Sequence, residues 1–178
     1  GTVRLEDFNH SDLILVIGQN PGTNHPRMLT ALRDAKKKGS KIIHINPLPE
    51  AGLERFKHPQ DYMKLDFKST KLSDFHLQVK IGGDAALMKG LIKVHIEAGG
   101  IDLDFINHST TGFQSMCENA RETSWDRIVR DSGVERTLIE EVGLLCARSK
   151  ATIACWAMGL TQHRNGVSVI QDCLLYTS

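Results

Sequence analysis

The segment Gly18-Gln19-Asn20-Pro21-Gly22-Thr23-Asn24-His25-Pro26 has the residue types of a nucleotide-binding loop. A glycine at a strand end lets backbone approach a phosphate with no Cβ in the way. The N-terminus of the helix that follows offers free N–H groups and a favourable dipole. Gln19, Asn20 and Asn24 carry amide donors and acceptors suited to a purine edge or a sugar. The spacing is neither GxGxxG nor a Walker loop, which weakens an ordinary NAD site or an ATPase. The same residues also suit a plain strand-to-helix turn. Local chemistry leaves both uses open.

Three further segments carry candidate chemistry. Asn46-Pro47-Leu48-Pro49-Glu50 follows a second strand. In dinucleotide sites a polar side chain there meets a ribose, and a carboxylate would be a stronger signal than Asn46. The two prolines can equally serve to shape the loop. In Gly82-Gly83-Asp84 an ionised aspartate can accept two hydrogen bonds side by side, matching the N1–H and amino group of guanine. Alternatively Asp84 is only a helix N-cap. In Trp156-Ala157-Met158-Gly159-Leu160-Thr161-Gln162-His163-Arg164 the last four residues crowd polar groups behind a strand. They suit an anion or a pterin edge, and His163 is either a catalytic base or a surface histidine.

Other chemistries find little support. There is no HExxH and no GxSxG. Cys117, Cys146, Cys155 and Cys173 form no CxxC pair, so no metal site is expected from this chain alone. Reduced, mostly buried thiols suit a cytoplasmic setting. The net charge of +1 gives no electrostatic case for nucleic acid, and no apolar run is long enough to span a bilayer.

The elements that must position these segments are α/β in pattern. Leu13–Ile17 is an unbroken apolar run ending at Gly18, as in a buried parallel strand. From about Pro26 to Lys38 the apolar residues Met28, Leu29, Leu32 and Ala35 share one helical face, and Gly39 is the stop. Lys41–Ile45 is a second strand, completing a βαβ unit. Residues 49–73 read as a long connection with room for a short helix. Leu77–Ile81 alternates and is a candidate strand, with Asp84 at the N-cap of a helix over 85–98 that turns Leu87, Leu91 and Val94 inward. Residues 103–149 are mainly helical. Thr123–Asp126 starts one helix, Ser132-Gly133 is a break, and Leu138, Ile139, Val142 and Leu145 face a core in another. Ala151–Trp156 is the last strand, followed by a polar loop. The whole reads as Rossmann-like βαβ units in a mainly parallel sheet flanked by helices. With 178 residues, 40% of them hydrophobic, one packed domain is expected.

The four segments together, in this order, resemble the molybdopterin oxidoreductase superfamily, which includes formate dehydrogenases and dimethyl sulfoxide reductases. Val16-Ile17-Gly18-Gln19-Asn20-Pro21-Gly22-Thr23-Asn24-His25-Pro26 resembles its strand-loop motif, and Cys155-Trp156-Ala157-Met158-Gly159-Leu160-Thr161-Gln162-His163 its later Met-Gly motif. Asn46 to Phe56 and Gly82 to Leu87 fall between them. The nearest branch is similar to the formate-dehydrogenase-like alpha subunits of YdeP type. The resemblance covers nearly the whole chain.

It implies a molybdenum held by two molybdopterin guanine dinucleotides. Gly18, Gln19 and Asn20 would approach the pyrophosphate or nucleoside of one, with Pro21, Asn24 and His25 alongside. Asn46 and Pro47 would lie near its ribose, and Gly83 and Asp84 near its guanine. Met158, Gly159, Gln162 and His163 would lie towards the pterin. The resemblance further implies a 4Fe-4S cluster ligated outside this chain, a small-molecule substrate with formate as the candidate, and an electron-acceptor protein or subunit. Two departures bear on the contacts. Relatives commonly carry an acidic residue and an arginine where this chain has Asn46-Pro47-Leu48, and a threonine where it has Gly83. Residues 1–172 are expected to be the central cofactor-binding region of a larger oxidoreductase, inactive in isolation, and 173–178 a non-native tail. The alternative is a non-catalytic nucleotide-binding α/β module.

Overall fold

Every side chain of Leu13-Ile14-Leu15-Val16-Ile17 is buried, so this strand, β1, needs cover on both faces. The computed structural model, which describes residues 3–57 and 69–174, shows how that cover is built. The parallel strands β2 (Lys41–Ile45) and β4 (Thr152–Trp156) flank β1. A short parallel strand, β3 (Phe75–Leu77), pairs with β2, giving the order β3-β2-β1-β4.

Alternation along the strands divides the core in two. Ile14, Val16 and Ile42 point to one face and pack against Leu29, Leu32 and Ala35. These three belong to α2 (Pro26–Lys37), which follows a short helix α1 (Pro21–Asn24). Pro26 opens α2 with its φ already helical, and Gly39 at φ 106° follows its end. Leu13, Leu15, Ile17, Ile43, Ile45 and Leu77 point to the other face. They meet α4 (Asp84–Glu97), α7 (Trp125–Ser132) and α8 (Arg136–Arg148) through Leu87, Leu91, Ile128, Ile139 and Val142. Leu138 and Leu145 are only half-buried at the margin of this cluster. Between α4 and α7 lie α5 (Leu103–Ser109) and α6 (Phe113–Glu122). A short α3 (Ala51–Glu54) falls within the 49–73 connection, of which residues 58–68 lie outside the described residues.

Three expectations need correction. The third strand is Phe75–Leu77, not Leu77–Ile81. Asp74 sets that register: its carboxylate accepts the Ile42 amide at 2.9 Å, and its own amide donates to the Ile42 carbonyl at 2.7 Å. Ile81 is 80% exposed. Secondly, Gly83, not Asp84, caps α4, because the Gly83 carbonyl accepts the Leu87 amide at 3.0 Å. Thirdly, the segment after β4, expected to be a polar loop, contains α9 (Met158–Thr161) and leads to α10 (Gly166–Leu174). Leu160 and Val169 there are buried in the α4 side of the core, which outweighs the polar residues between them. Of the expected tail, residues 173 and 174 end α10, and 175–178 lie outside the described residues.

Among the described residues, His44 is a polar side chain set in the core without compensation. His44 in β2 is fully buried, neither ring nitrogen has a hydrogen-bond partner, and its ring stacks on His76 at 4.8 Å. Burial, with some help from His76 and against a pull from Glu54, lowers its pKa to about 4. An unfolded histidine binds a proton near pH 6.5, whereas the folded one resists until about pH 4. Stability should therefore fall as pH drops through that window, by about 3 kcal/mol in total. Urea unfolding of His44→Phe between pH 7 and 4 checks this. The variant should lose that part of the pH dependence, and an unchanged slope would contradict the assignment.

Candidate functional site

In open parallel sheets ligands bind beyond the carboxyl ends of the strands, where the strand order reverses. Here the chain runs β1, β2, β3 in one direction from the centre, and then returns to place β4 on the other side of β1. The reversal lies between β1 and β4. All four candidate segments follow carboxyl ends of strands, so this topology brings them to one edge.

Backbone contact closes the edge at the reversal. Gly18, at φ 56°, donates its amide to the Ile45 carbonyl at 2.9 Å. Its backbone also lies against Gly159: a Cβ on Gly159 would stand 2.3 Å from the Gly18 oxygen. A second glycine pair joins the loops after β1 and β2, since a Cβ on Gly52 would stand 3.0 Å from the Gly22 Cα. A side chain at Gly159 would force the loops after β1 and β4 apart, whereas one at Gly22 or Gly52 would need its neighbour to give by a few tenths of an ångström.

The side chains sort into three groups. In the first, Asn20 caps α1, its Oδ1 accepting the Thr23 amide at 3.0 Å. The Asn20 Nδ2 donates to Glu50 Oε2, and Asn46 Nδ2 donates to Glu50 Oε1 at 2.8 Å. The Asn46 carbonyl accepts from His76 Nε2 at 3.0 Å, and the Pro47 carbonyl accepts from Gln78 at 3.0 Å. Loops after β1, β2 and β3 are thus laced together.

The second group surrounds Gln19, which is only 8% exposed. Its Nε2 lies 3.3 Å from His25 Nδ1 and 3.5 Å from Met28 Sδ, while its buried Oε1 has no partner. Beside it opens an apolar cavity of about 630 Å³, lined also by Phe8, Cys155 and Trp156. An unsatisfied buried oxygen costs about 1–3 kcal/mol, so a ligand that donates to it would recover that free energy.

The third group pairs loops from opposite ends of the sheet. Asp84 is 7% exposed at the first turn of α4. Burial raises its carboxyl pKa; a hydrogen bond from its own amide and the proximity of His163 pull the other way. Met158 and Gln162 are exposed just before His163 in sequence, joined by a 3.4 Å contact from Gln162 Nε2 to the Met158 sulfur. Asn24 and His25 are exposed on the α1 turn, and Pro21 is buried beneath it.

Glu50 is the residue that strand-end reasoning passes over. The end of β2 is where a carboxylate would be the signal, and the carboxylate stands four positions after Asn46. Among the described residues no group of three or more His, Cys, Asp or Glu side chains is placed to hold a metal ion.

Comparison with known proteins gives a concordant set of matches. The family model for molybdopterin oxidoreductase matches residues 1–174. The protein YdeP of Escherichia coli (strain K12) is 44% identical over 97% of this chain. The F420-dependent formate dehydrogenase subunit alpha of Methanocaldococcus jannaschii is 29% identical over 96%. Among solved structures, the acetylene hydratase of Pelobacter acetylenicus superposes with a TM-score of 0.77 at 25% identity, covering 94% of this chain. The chain spans about a quarter of these proteins: 24%, 23% and 21% of their respective lengths.

Proposed function

Because the chain belongs to the molybdopterin oxidoreductase family, we propose that residues 1–172 are the part of a larger enzyme that grips one molybdopterin guanine dinucleotide. The observation that carries this reading is the meeting of four strand-end loops at the reversal between β1 and β4, closed there by the Gly18–Gly159 contact. The residues present fit such a group. The Gly18–Gly159 backbone contact sets the loops after β1 and β4 side by side as a wall along which a pyrophosphate would pass. The unpartnered Gln19 oxygen awaits a donor. Asp84 offers a carboxylate for the guanine N1–H and amino group.

When bound, the molybdenum–pterin group supplies the redox chemistry. This chain's own residues bind and orient. Gly18, Gln19 and Asn20, with Pro21, Asn24 and His25 beside them, would form one wall. Asn46 and Pro47 would lie on the ribose side, and Gly83 and Asp84 on the guanine side. Met158, Gly159, Gln162 and His163 would face the pterin. A 4Fe-4S cluster ligated elsewhere in the protein, an electron-acceptor partner and formate as the substrate complete the reading. Formate is favoured by the formate dehydrogenase relative. A cytoplasmic setting is favoured by the free thiols of Cys117 and Cys155. Among the described residues no helix is long and apolar enough to cross a membrane.

The test uses the full-length protein. Metal analysis should find molybdenum, and acid release should yield GMP in stoichiometric amount. Molybdenum with no guanine nucleotide would remove the dinucleotide from the proposal. Neither molybdenum nor guanine would leave a nucleotide-binding module without redox chemistry. Viologen reduction driven by formate tests the substrate.

A further inference from the structure

We propose that Glu50 is the ribose acceptor of this site, its carboxylate taking the 2′- and 3′-hydroxyls of the bound nucleotide. The inference rests on the guanine-dinucleotide reading and adds to it a residue that recognises the sugar.

Asn46-Pro47-Leu48 carries no charge, at the place where dinucleotide folds put a carboxylate for the ribose. The structure restores that charge from further along the chain. Glu50 precedes α3, and its side chain reaches back to both Asn46 and Asn20. Each carboxylate oxygen accepts one amide hydrogen. A carboxylate can accept about four hydrogen bonds, so about one place remains open on each oxygen. A vicinal diol presents two O–H donors to match them.

Charge and rigidity favour the same use. Both partners of Glu50 are neutral amides, and among the described residues no lysine or arginine forms an ion pair with it. No cation there competes with an incoming hydroxyl for the carboxylate, and hydrogen bonds to a charged acceptor are stronger than neutral ones. Glu50 is half-buried, so an incoming hydroxyl meets less competing water than at an open surface. The Gly22–Gly52 contact holds the loops that carry Asn20 and Glu50 against each other. The carboxylate is thus positioned before any ligand arrives, which lowers the ordering cost of binding.

A carboxylate that only clamps the two loops would be indifferent to the sugar. Calorimetry on the full-length protein freed of its cofactor separates the two roles. The probes are GDP, 2′,3′-dideoxy-GDP and ADP. The native protein should bind GDP about tenfold tighter than the dideoxy nucleotide, a difference of about 1.4 kcal/mol. Glu50→Gln should bind both equally, while Asp84→Asn should weaken both and keep their ratio. A native ratio near one overturns the proposal without any variant, as does a Glu50→Gln protein that keeps the native ratio. If the native protein prefers GDP to ADP yet ignores the sugar, Glu50 fails and the guanine reading stands. If it does not distinguish GDP from ADP, the guanine reading fails and Glu50 with it.

Discussion

Replacing Gly159 with alanine should loosen the proposed cofactor site, because among the described glycines an added Cβ meets its closest neighbour there. The new Cβ would stand 2.3 Å from the Gly18 oxygen and 2.7 Å from its Cα. Both are backbone atoms and cannot rotate aside, so the loops after β1 and β4 must separate. Overpacking of this kind costs about 1–3 kcal/mol. Gly18→Ala meets the same obstacle from the other side, 2.9 Å from the Gly159 carbonyl carbon, and adds the strain of a non-glycine residue at φ 56°. That strain is about 1–2 kcal/mol. Urea unfolding should register both losses, and the molybdenum content of purified full-length protein should fall several-fold. Gly39→Ala is the control. Gly39 has φ 106°, but a Cβ added there would meet nothing within 4 Å. It should lose stability and keep its molybdenum. Equal molybdenum content in all three variants would show that the Gly18–Gly159 contact does not shape the site.

Asp84→Asn should separate binding from stability, moving them in opposite directions. A carboxylate accepts both guanine donors, whereas an asparagine amide presents one of them with a donor of its own. GDP affinity should fall about 10- to 100-fold, or about 1.4–2.8 kcal/mol. The folded state should not suffer. Burial raises the Asp84 pKa above the ordinary carboxylate value, so the folded protein holds a proton that the unfolded chain releases more readily. Asp84 therefore contributes most to stability below the unfolded pKa of 3.8, and that contribution is lost as pH rises through the higher folded value. At neutral pH the ionised, desolvated carboxylate is a cost, which the neutral amide removes. Asp84→Asn should be at least as stable as the native chain at pH 7 and lose ground to it as the solution is acidified. GDP binding by the native protein should weaken on acidification from a higher pH than an ordinary aspartate would give. Equal GDP affinity of the two proteins would remove Asp84 from the guanine contact.

Glu50 and the glycine pairs show why part of the site was illegible in one dimension. Asn20 and Glu50 are 30 positions apart, and nothing local to either marks the other. Gly18 and Gly159 belong to loops at opposite ends of the chain, each an ordinary turn by composition. Each loop could be found along the chain, but only the strand order set them side by side. The misplaced third strand has the same origin. Its alternation continues past Leu77, but pairing with β2 runs only from Ile43 to Ile45 and stops where β2 stops.

What could be read from the residues alone was whatever depends on local periodicity. β1, β2 and β4, the helices α2, α4 and α8, and the parallel character of the sheet all follow from apolar spacing over five to fourteen residues. The Gly18-to-Pro26 segment could likewise be recognised as a loop with nucleotide-binding residue types. Tertiary structure decided which atoms of that loop remain available. It occupied the Asn20 and Asn46 amides with Glu50, left the Gln19 oxygen buried without a partner, and pressed Gly18 against Gly159. The physical reason is that hydrogen-bond satisfaction and steric exclusion are properties of pairs. Most of the decisive pairs here join residues that lie far apart in sequence.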